Sequence, residues 1–300
     1  MRLIFVFLVA LLWCESPLHA AAPVERVKIL LEYKQAKQLF ANPYADLVAA
    51  IERRSTYTQI AEQRKARILQ IGKKIYQQDN LYEVLVAAYA TFADAAAVEA
   101  EIKMFRSLVG QLYAKVLTGI YQPGFDAEVE RYWDNRDFKA MKANRKNTIG
   151  SYLKQSKQAD PTGMIMAGMD IGVDLSLNAF KRRRYRKSLK QIKADTKLRK
   201  NNYVMDGSTE TLKEMTYAFR QMKSVQIDWL TRFYYGRFGE SATRTYLNAI
   251  EVTLDRAGET LMHNLNPDTK NPITPPAALA KPKNPKKPNN LVPAKQSLKP

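Results

Sequence analysis

Asp170 and Asp174 stand four residues apart in a stretch, 163–180, that is otherwise apolar and rich in small residues. On a helix that spacing puts both carboxylates on one face. Burying both as bare charges would be expensive. We expect them to meet basic side chains of a neighbouring helix or solvent, with a catalytic or metal-binding pair as the sharper alternative. Met164, Met166 and Met169 lie in the same stretch. Thioethers are soft ligands suited to Cu(I), but methionine more commonly fills irregular gaps in a core. No metal and no cofactor is therefore assigned.

Gly168, Gly172 and Ser176 are also four apart. The missing side-chain bulk on that face favours close approach of another helix, so these three are read as helix-packing positions. A membrane span is disfavoured, because each aspartate would cost roughly 2.5–3.5 kcal/mol at a bilayer centre.

The next segment, 181–200, holds eleven Lys or Arg against one Asp, a net +10. Tyr185, Leu189 and Ile192 recur at helical spacing within it. The pattern predicts an amphipathic helix docked by a thin apolar seam, with cations on its other faces. Lys181, Arg182, Arg183, Arg184, Arg186, Lys187, Lys190 and Lys193 are the candidate polyanion-binding residues. A second acid-rich region carries Glu128, Glu130, Asp134 and Asp137 among Arg131, Arg136 and Lys139. It reads as a salt-bridged wet face. Glu128, Asp170 and Asp174 are the acids a carboxylate-based hydrolase would use, but no motif supports one and no catalytic residue is assigned.

Composition removes other chemistries. The single cysteine is Cys14, and it falls in a stretch with the marks of a secretory signal: Arg2, an apolar run over 3–13, Pro17 and a small residue at Ala20. Cleavage near Ala20 would leave no thiol, so disulfides and cysteine chemistry drop out. His263 would then be the one remaining histidine, too few for a histidine zinc site. Trp13 occupies the position where a lipobox needs a small residue, which disfavours lipidation. A retained anchor is the fallback.

The elements that must position these residues all carry helical periodicity. The first reads as 24–40, then 44–78 with Tyr57, Ile60, Ile68, Ile71 and Ile75 on its stripe. A long segment, 81–121, would make a rod of about 60 Å if unbroken, and its Ala-rich middle, 93–100, either packs tightly or carries a break. Gln122-Pro123-Gly124 stops it and marks a possible subdomain boundary near 122–125. Asp160-Pro161-Thr162-Gly163 precedes the small-residue helix. Asn201-Asn202 and Asp206-Gly207-Ser208 read as the next loop, followed by a helix with Leu212, Met215, Phe219, Met222 and Trp229 inside. Gly239 reads as its end. The stripe Leu247, Ile250, Leu254, Ala257, Leu261 and Leu265 gives the last helix. Beyond it, 266–300 holds nine prolines and a net +6, a composition expected to stay disordered.

The expected fold is all-α: an elongated bundle of six to seven helices over 21–265, behind a signal peptide at 1–20, with a disordered basic tail at 266–300. Sixteen of the nineteen net positive charges fall in the two basic regions. Such focusing points to an anionic partner. The leading expectation is a periplasmic or secreted, non-enzymatic binding or scaffold protein. It would contact lipopolysaccharide, phospholipid headgroups or peptidoglycan through the basic helix and tail. A component of an envelope secretion or conjugation machine, packing on membrane or envelope proteins, is the alternative, and the hydrolase the third. Export argues against nucleic acid as the partner, and self-association stays open.

Overall fold

The computed structural model of the protein describes residues 21–134, 141–157 and 160–266, except the side chains of Asp160, Arg183, Leu198, Lys200 and residues 204–210. The expected signal peptide and nearly all of the tail lie outside the described residues. Among them the chain is all-α, with twelve α-helices and three short 3-10 turns. No helix among the described residues is long and apolar enough to cross a membrane. The described residues all fall within one compact unit, which includes the Gln122–Gly124 turn.

The helices are α1 Val24–Tyr33, α2 Pro43–Ser55, α3 Glu62–Ile75, α4 Gln78–Phe92, α5 Ala95–Arg106 and α6 Leu108–Ile120. Then come α7 Phe125–Asp134, α8 Ala143–Ser156, α9 Asp160–Ala179, α10 Leu189–Ala218, α11 Ser224–Tyr235 and α12 Arg237–Leu265. The pieces are more numerous than six or seven because long periodic segments are cut by short turns and by helix caps. Ser55 Oγ donates to the Ile51 carbonyl and Thr56 Oγ1 to the Arg53 carbonyl at the end of α2. The chain leaves the helix there, and Tyr57 is exposed rather than on an apolar stripe. The expected 60 Å rod is likewise three helices. Asp94 caps α5 by accepting from the Ala96 N–H at 3.0 Å, and Ser107 caps α6 by accepting from the Gly110 N–H at 3.1 Å.

Two of the breaks share one design. Ser107 (φ −68°, ψ 161°) joins α5 to α6, and Gly236 (φ −72°, ψ 160°) joins α11 to α12. In each, a glycine occupies the third position of the new helix, Gly110 and Gly239, against the backbone of the old one. Gly239 thus lies inside α12 rather than ending the helix before it. The opposite correction applies to Asn201–Ser208. The expected loop there is helical, and α10 runs through it. Ile192 and Thr196 anchor one end of α10 and Met215 and Phe219 follow at the other, all buried. Burial at both ends outweighs the roughly 1 kcal/mol that Gly207 costs.

The core is one large apolar cluster with two small satellites. α9 is apolar on nearly every face, as a helix enclosed by others must be. It packs against α12, α10 and α2. A Cβ on Gly258 of α12 would lie 3.1 Å from the Gly172 Cα, and one on Gly168 would lie 2.5 Å from Leu254 Cδ1. Ser176 is fully buried and returns its hydroxyl to the Gly172 carbonyl at 2.7 Å. α12 in turn reaches α3, α4 and α5. Its stripe is buried from Ile250 to Leu265, with Leu247 partly exposed. Arg145 of α8 donates to the Phe219 and Met222 carbonyls at 2.7 and 2.8 Å, tying α8 to the α10–α11 connection.

An aromatic row crosses the other half of the core. Tyr33 stacks on Phe105, Phe105 on Tyr113, and Tyr113 meets Tyr152 edge-on. Tyr152 donates its hydroxyl to that of Tyr113 at 2.5 Å. Burial lifts the phenols of Tyr76, Tyr89, Tyr113, Tyr152 and Tyr234 above the ordinary 10.0. The stability this confers is complete below the unfolded-state pKa and is lost as pH rises through the folded-state values. In an alkaline titration we expect tyrosinate absorbance from these five to appear only with loss of helical circular dichroism, in one cooperative step. Gradual ionisation of these rings in a protein that stays helical would contradict the burial.

Candidate functional site

The basic segment begins where α9 ends. Asn178 is the residue that shapes it. Its side-chain amide donates to the Lys187 carbonyl at 2.7 Å, and its carbonyl accepts the Lys187 N–H at 2.9 Å. These two hydrogen bonds to one residue's backbone close 179–186 into a loop. Ser188 and Gln191 then form a reciprocal capping box that starts α10. The expected single basic helix is therefore a loop with one 3-10 turn, Arg183–Tyr185, followed by the first turns of α10. Tyr185 is exposed, whereas Leu189 and Ile192 do pack inward. The side-chain clamp and the cap offered the backbone better partners than a continuous helix would.

The cations divide into two groups. Lys187 pairs with Asp195 at 2.6 Å, and Lys193 is shared by Glu251 at 2.5 Å and Asp255 at 2.7 Å of α12. Lys181, Arg182, Arg184 and Lys190 are exposed, and Arg186 is partly so. Among the described residues none of these five has a carboxylate within ion-pairing distance. Arg184 lies over the Tyr185 ring, and Arg186 Nε donates to the Lys181 carbonyl at 3.0 Å, which orders the loop without cancelling charge. The side chain of Arg183 lies outside the described residues.

Next to the loop, Asp170 and Asp174 are enclosed by three arginines. Arg53 of α2 meets Asp170 at 3.0 Å, and Arg54 meets Asp174 at 2.8 Å. Arg199 of α10 reaches Asp174 at 2.7 Å and Asp170 at 3.9 Å. Tyr203 donates its hydroxyl to Asp170 at 2.7 Å. Burial, and then this contact, raise the Tyr203 phenol. The two acids thus tie α9 to α2 and α10. A groove of about 670 Å³ opens beside them, lined by Arg54, Lys181, Lys187 and Arg199 against Asp174 and Asp195. It is a shallow cationic recess continuous with the exposed loop.

The remaining expected acids are elsewhere. Glu128 on α7 is exposed and accepts a hydrogen bond from Tyr217. Glu130 lies 3.7 Å from Lys213. Arg136, Asp137 and Lys139 lie outside the described residues. Met164 and Met169 are buried in the core, and Met166 is partly exposed. Among the described residues no group of three His, Cys, Asp or Glu is placed to hold a metal.

A second polar centre escaped the sequence reading. Glu101 of α5 is fully buried and pairs with Lys34 at 2.6 Å. The Lys34 ammonium also lies over the rings of Tyr246, 4.9 Å from its centroid, and Tyr234, at 6.0 Å. Lys34, Tyr234 and Tyr246 line a cleft of about 800 Å³. A signal was present. Val98, Glu101, Ile102 and Phe105 share one helical face, so a charge stands on an apolar stripe.

No protein-family model, curated protein or solved structure matches the chain, so the reading of function rests on this geometry.

Proposed function

We propose that this is an exported, non-enzymatic binding protein that docks on anionic components of the cell envelope through the basic segment at 181–190, the loop and the first turn of α10. Lipopolysaccharide, phospholipid headgroups and peptidoglycan share the required negative charge. The observation that carries the reading is the ordered loop itself. Lys181, Arg182, Arg184 and Arg186 project from it, and Lys190 from the first turn of α10, with no carboxylate among the described residues to pair with. Each Lys or Arg held near an anionic membrane is worth about 1 kcal/mol. The five together support firm, salt-sensitive attachment without a shaped pocket. The lysines of 266–300 would add to it, and the signal-like stretch at 1–20 supports export.

Binding to anionic and to neutral liposomes tests this. The wild-type protein should bind the anionic vesicles and release them as salt rises. Changing Arg182, Arg183, Arg184 and Arg186 to Ser should weaken that binding by about a hundredfold or more, since four such contacts are removed. Equal binding by the two proteins would discard the reading.

One observation favours a second reading, a component of an envelope assembly. Val225 and Trp229 lie on one face of α11 and are 69% and 40% exposed, although Trp229 was expected inside. Apolar contacts survive high salt, so co-purification of envelope proteins at high salt would favour assembly over headgroup binding.

A further inference from the structure

α9 packs against both α10 and α12. These three helices line a trough of about 330 Å³. Its floor is apolar: Met164, Ala167, Gly168 and Ile171 of α9 and Leu254 of α12, all buried. The wall from α10 is Lys190, Lys193, Ala194 and Lys197, whose spacing of three, four and seven puts them on one face of that helix. Ala194 is exposed, and its small side chain leaves room above the floor. The charges differ in what they are free to do. Lys193 is taken up by Glu251 and Asp255 of α12, the two acids of the lining. Lys190 and Lys197 are exposed, and among the described residues neither has a carboxylate within ion-pairing distance. They stand two turns apart, about 10 Å along the helix. Lysines lay their methylenes along apolar surface and keep the ammonium in water. An occupant of the trough would therefore meet hydrocarbon beneath it and unpaired ammonium groups at its rim. A cationic head would be repelled there, and an anionic one would gain a partner. The volume is at the lower end of the range for small-molecule sites, which suits a slender ligand.

We propose that this trough binds a single-chain anionic lipid, a long-chain carboxylate, with its hydrocarbon laid over the α9 floor and its head met by Lys190 or Lys197. The ligand is taken up one free molecule at a time, which goes beyond attachment to a charged envelope surface. The two sites share only Lys190.

The fluorescent fatty acid cis-parinarate is the probe. Full-length wild-type protein should bind it saturably at one site, and dodecanoate should displace it. Hexanoate has the same head on half the chain, and dodecyltrimethylammonium has the same chain with the opposite head. Each should compete about tenfold less well than dodecanoate. Ala194→Trp places bulk over the floor from an exposed position. It should weaken probe binding by about tenfold, equivalent to 1.4 kcal/mol, with helical circular dichroism retained and attachment to anionic liposomes unchanged. On wild type, dodecyl maltoside below its micellar concentration should be a poorer competitor than dodecanoate. In the double variant Lys190→Ser with Lys197→Ser, the two should compete equally. Absence of saturable probe binding to the folded wild type overturns the proposal and leaves the envelope reading standing. So does displacement by hexanoate or dodecyltrimethylammonium as good as by dodecanoate, unchanged affinity in folded Ala194→Trp, or a preference for the anionic head that survives loss of both lysines.

Discussion

Replacing Lys34 by Met should cost the protein about 3–5 kcal/mol, the penalty for stranding one member of a buried ion pair. Glu101 has no exposed side-chain surface, and its Oε2 atom has no hydrogen-bond partner. Its other oxygen has Lys34 at 2.6 Å and the Tyr234 hydroxyl at 3.4 Å. With the ammonium gone, a carboxylate would sit among tyrosine rings with one weak donor. Urea unfolding of Lys34→Met should show the full loss at neutral pH. The double variant Lys34→Met with Glu101→Leu should recover most of the stability, because two apolar groups need no partner. A single variant within about 1 kcal/mol of wild type would show that the pair is not buried as described.

Gly110→Ala and Gly239→Ala should each destabilise the protein by roughly 3 kcal/mol, at the upper end of overpacking effects. A Cβ on Gly110 would lie 1.9 Å from the Met104 carbonyl oxygen and 2.6 Å from the Phe105 Cα. One on Gly239 would lie 2.3 Å from the Phe233 carbonyl oxygen and 2.6 Å from the Tyr234 Cα. The obstacles are backbone atoms, so no rotamer change relieves them, and each corner must open. Gly150 in α8 is the control, since nothing lies within 4 Å of its would-be Cβ. Gly150→Ala should stabilise by about 0.5–1 kcal/mol through helix propensity alone. Thermal unfolding of the three variants separates these effects. Equal melting temperatures would mean that the corners open without cost.

What the sequence made legible and what it hid follow from the range of the forces involved. The α12 stripe and the enclosure of α9 are periodic burial, which any long helical pattern displays. The partners of Asp170 and Asp174 were anticipated in kind, as cations from a neighbouring helix, but not by number. Arg53, Arg54 and Arg199 reach them from distant parts of the chain. The corner at Ser107 is hidden because apolar periodicity runs straight through it, whereas the one at Gly236 reads in the sequence as a helix end at Gly239, three residues late. In both, the mark is the glycine three residues on. The basic loop reads as a helix in the sequence because the Asn178 clamp is one side chain meeting one backbone unit nine residues on. Charge density is equally high in either conformation. Glu101 reads in the sequence as one acid in an alanine-rich stretch, although its place on the stripe of Val98 and Phe105 sets it apart.

The position of α12 has a consequence for how the chain comes to be folded. It is the last described helix in order of synthesis, yet it contacts α3, α4, α5 and α9. The first hundred residues therefore emerge from the ribosome without the helix that covers them, and closure waits for the far end of the chain. Contacts of such long sequence separation slow folding and leave apolar surface open in the interval. A nascent chain that stops at Tyr235 lacks the helix that covers α3, α4, α5 and α9, so those surfaces stay open until the last described helix is made.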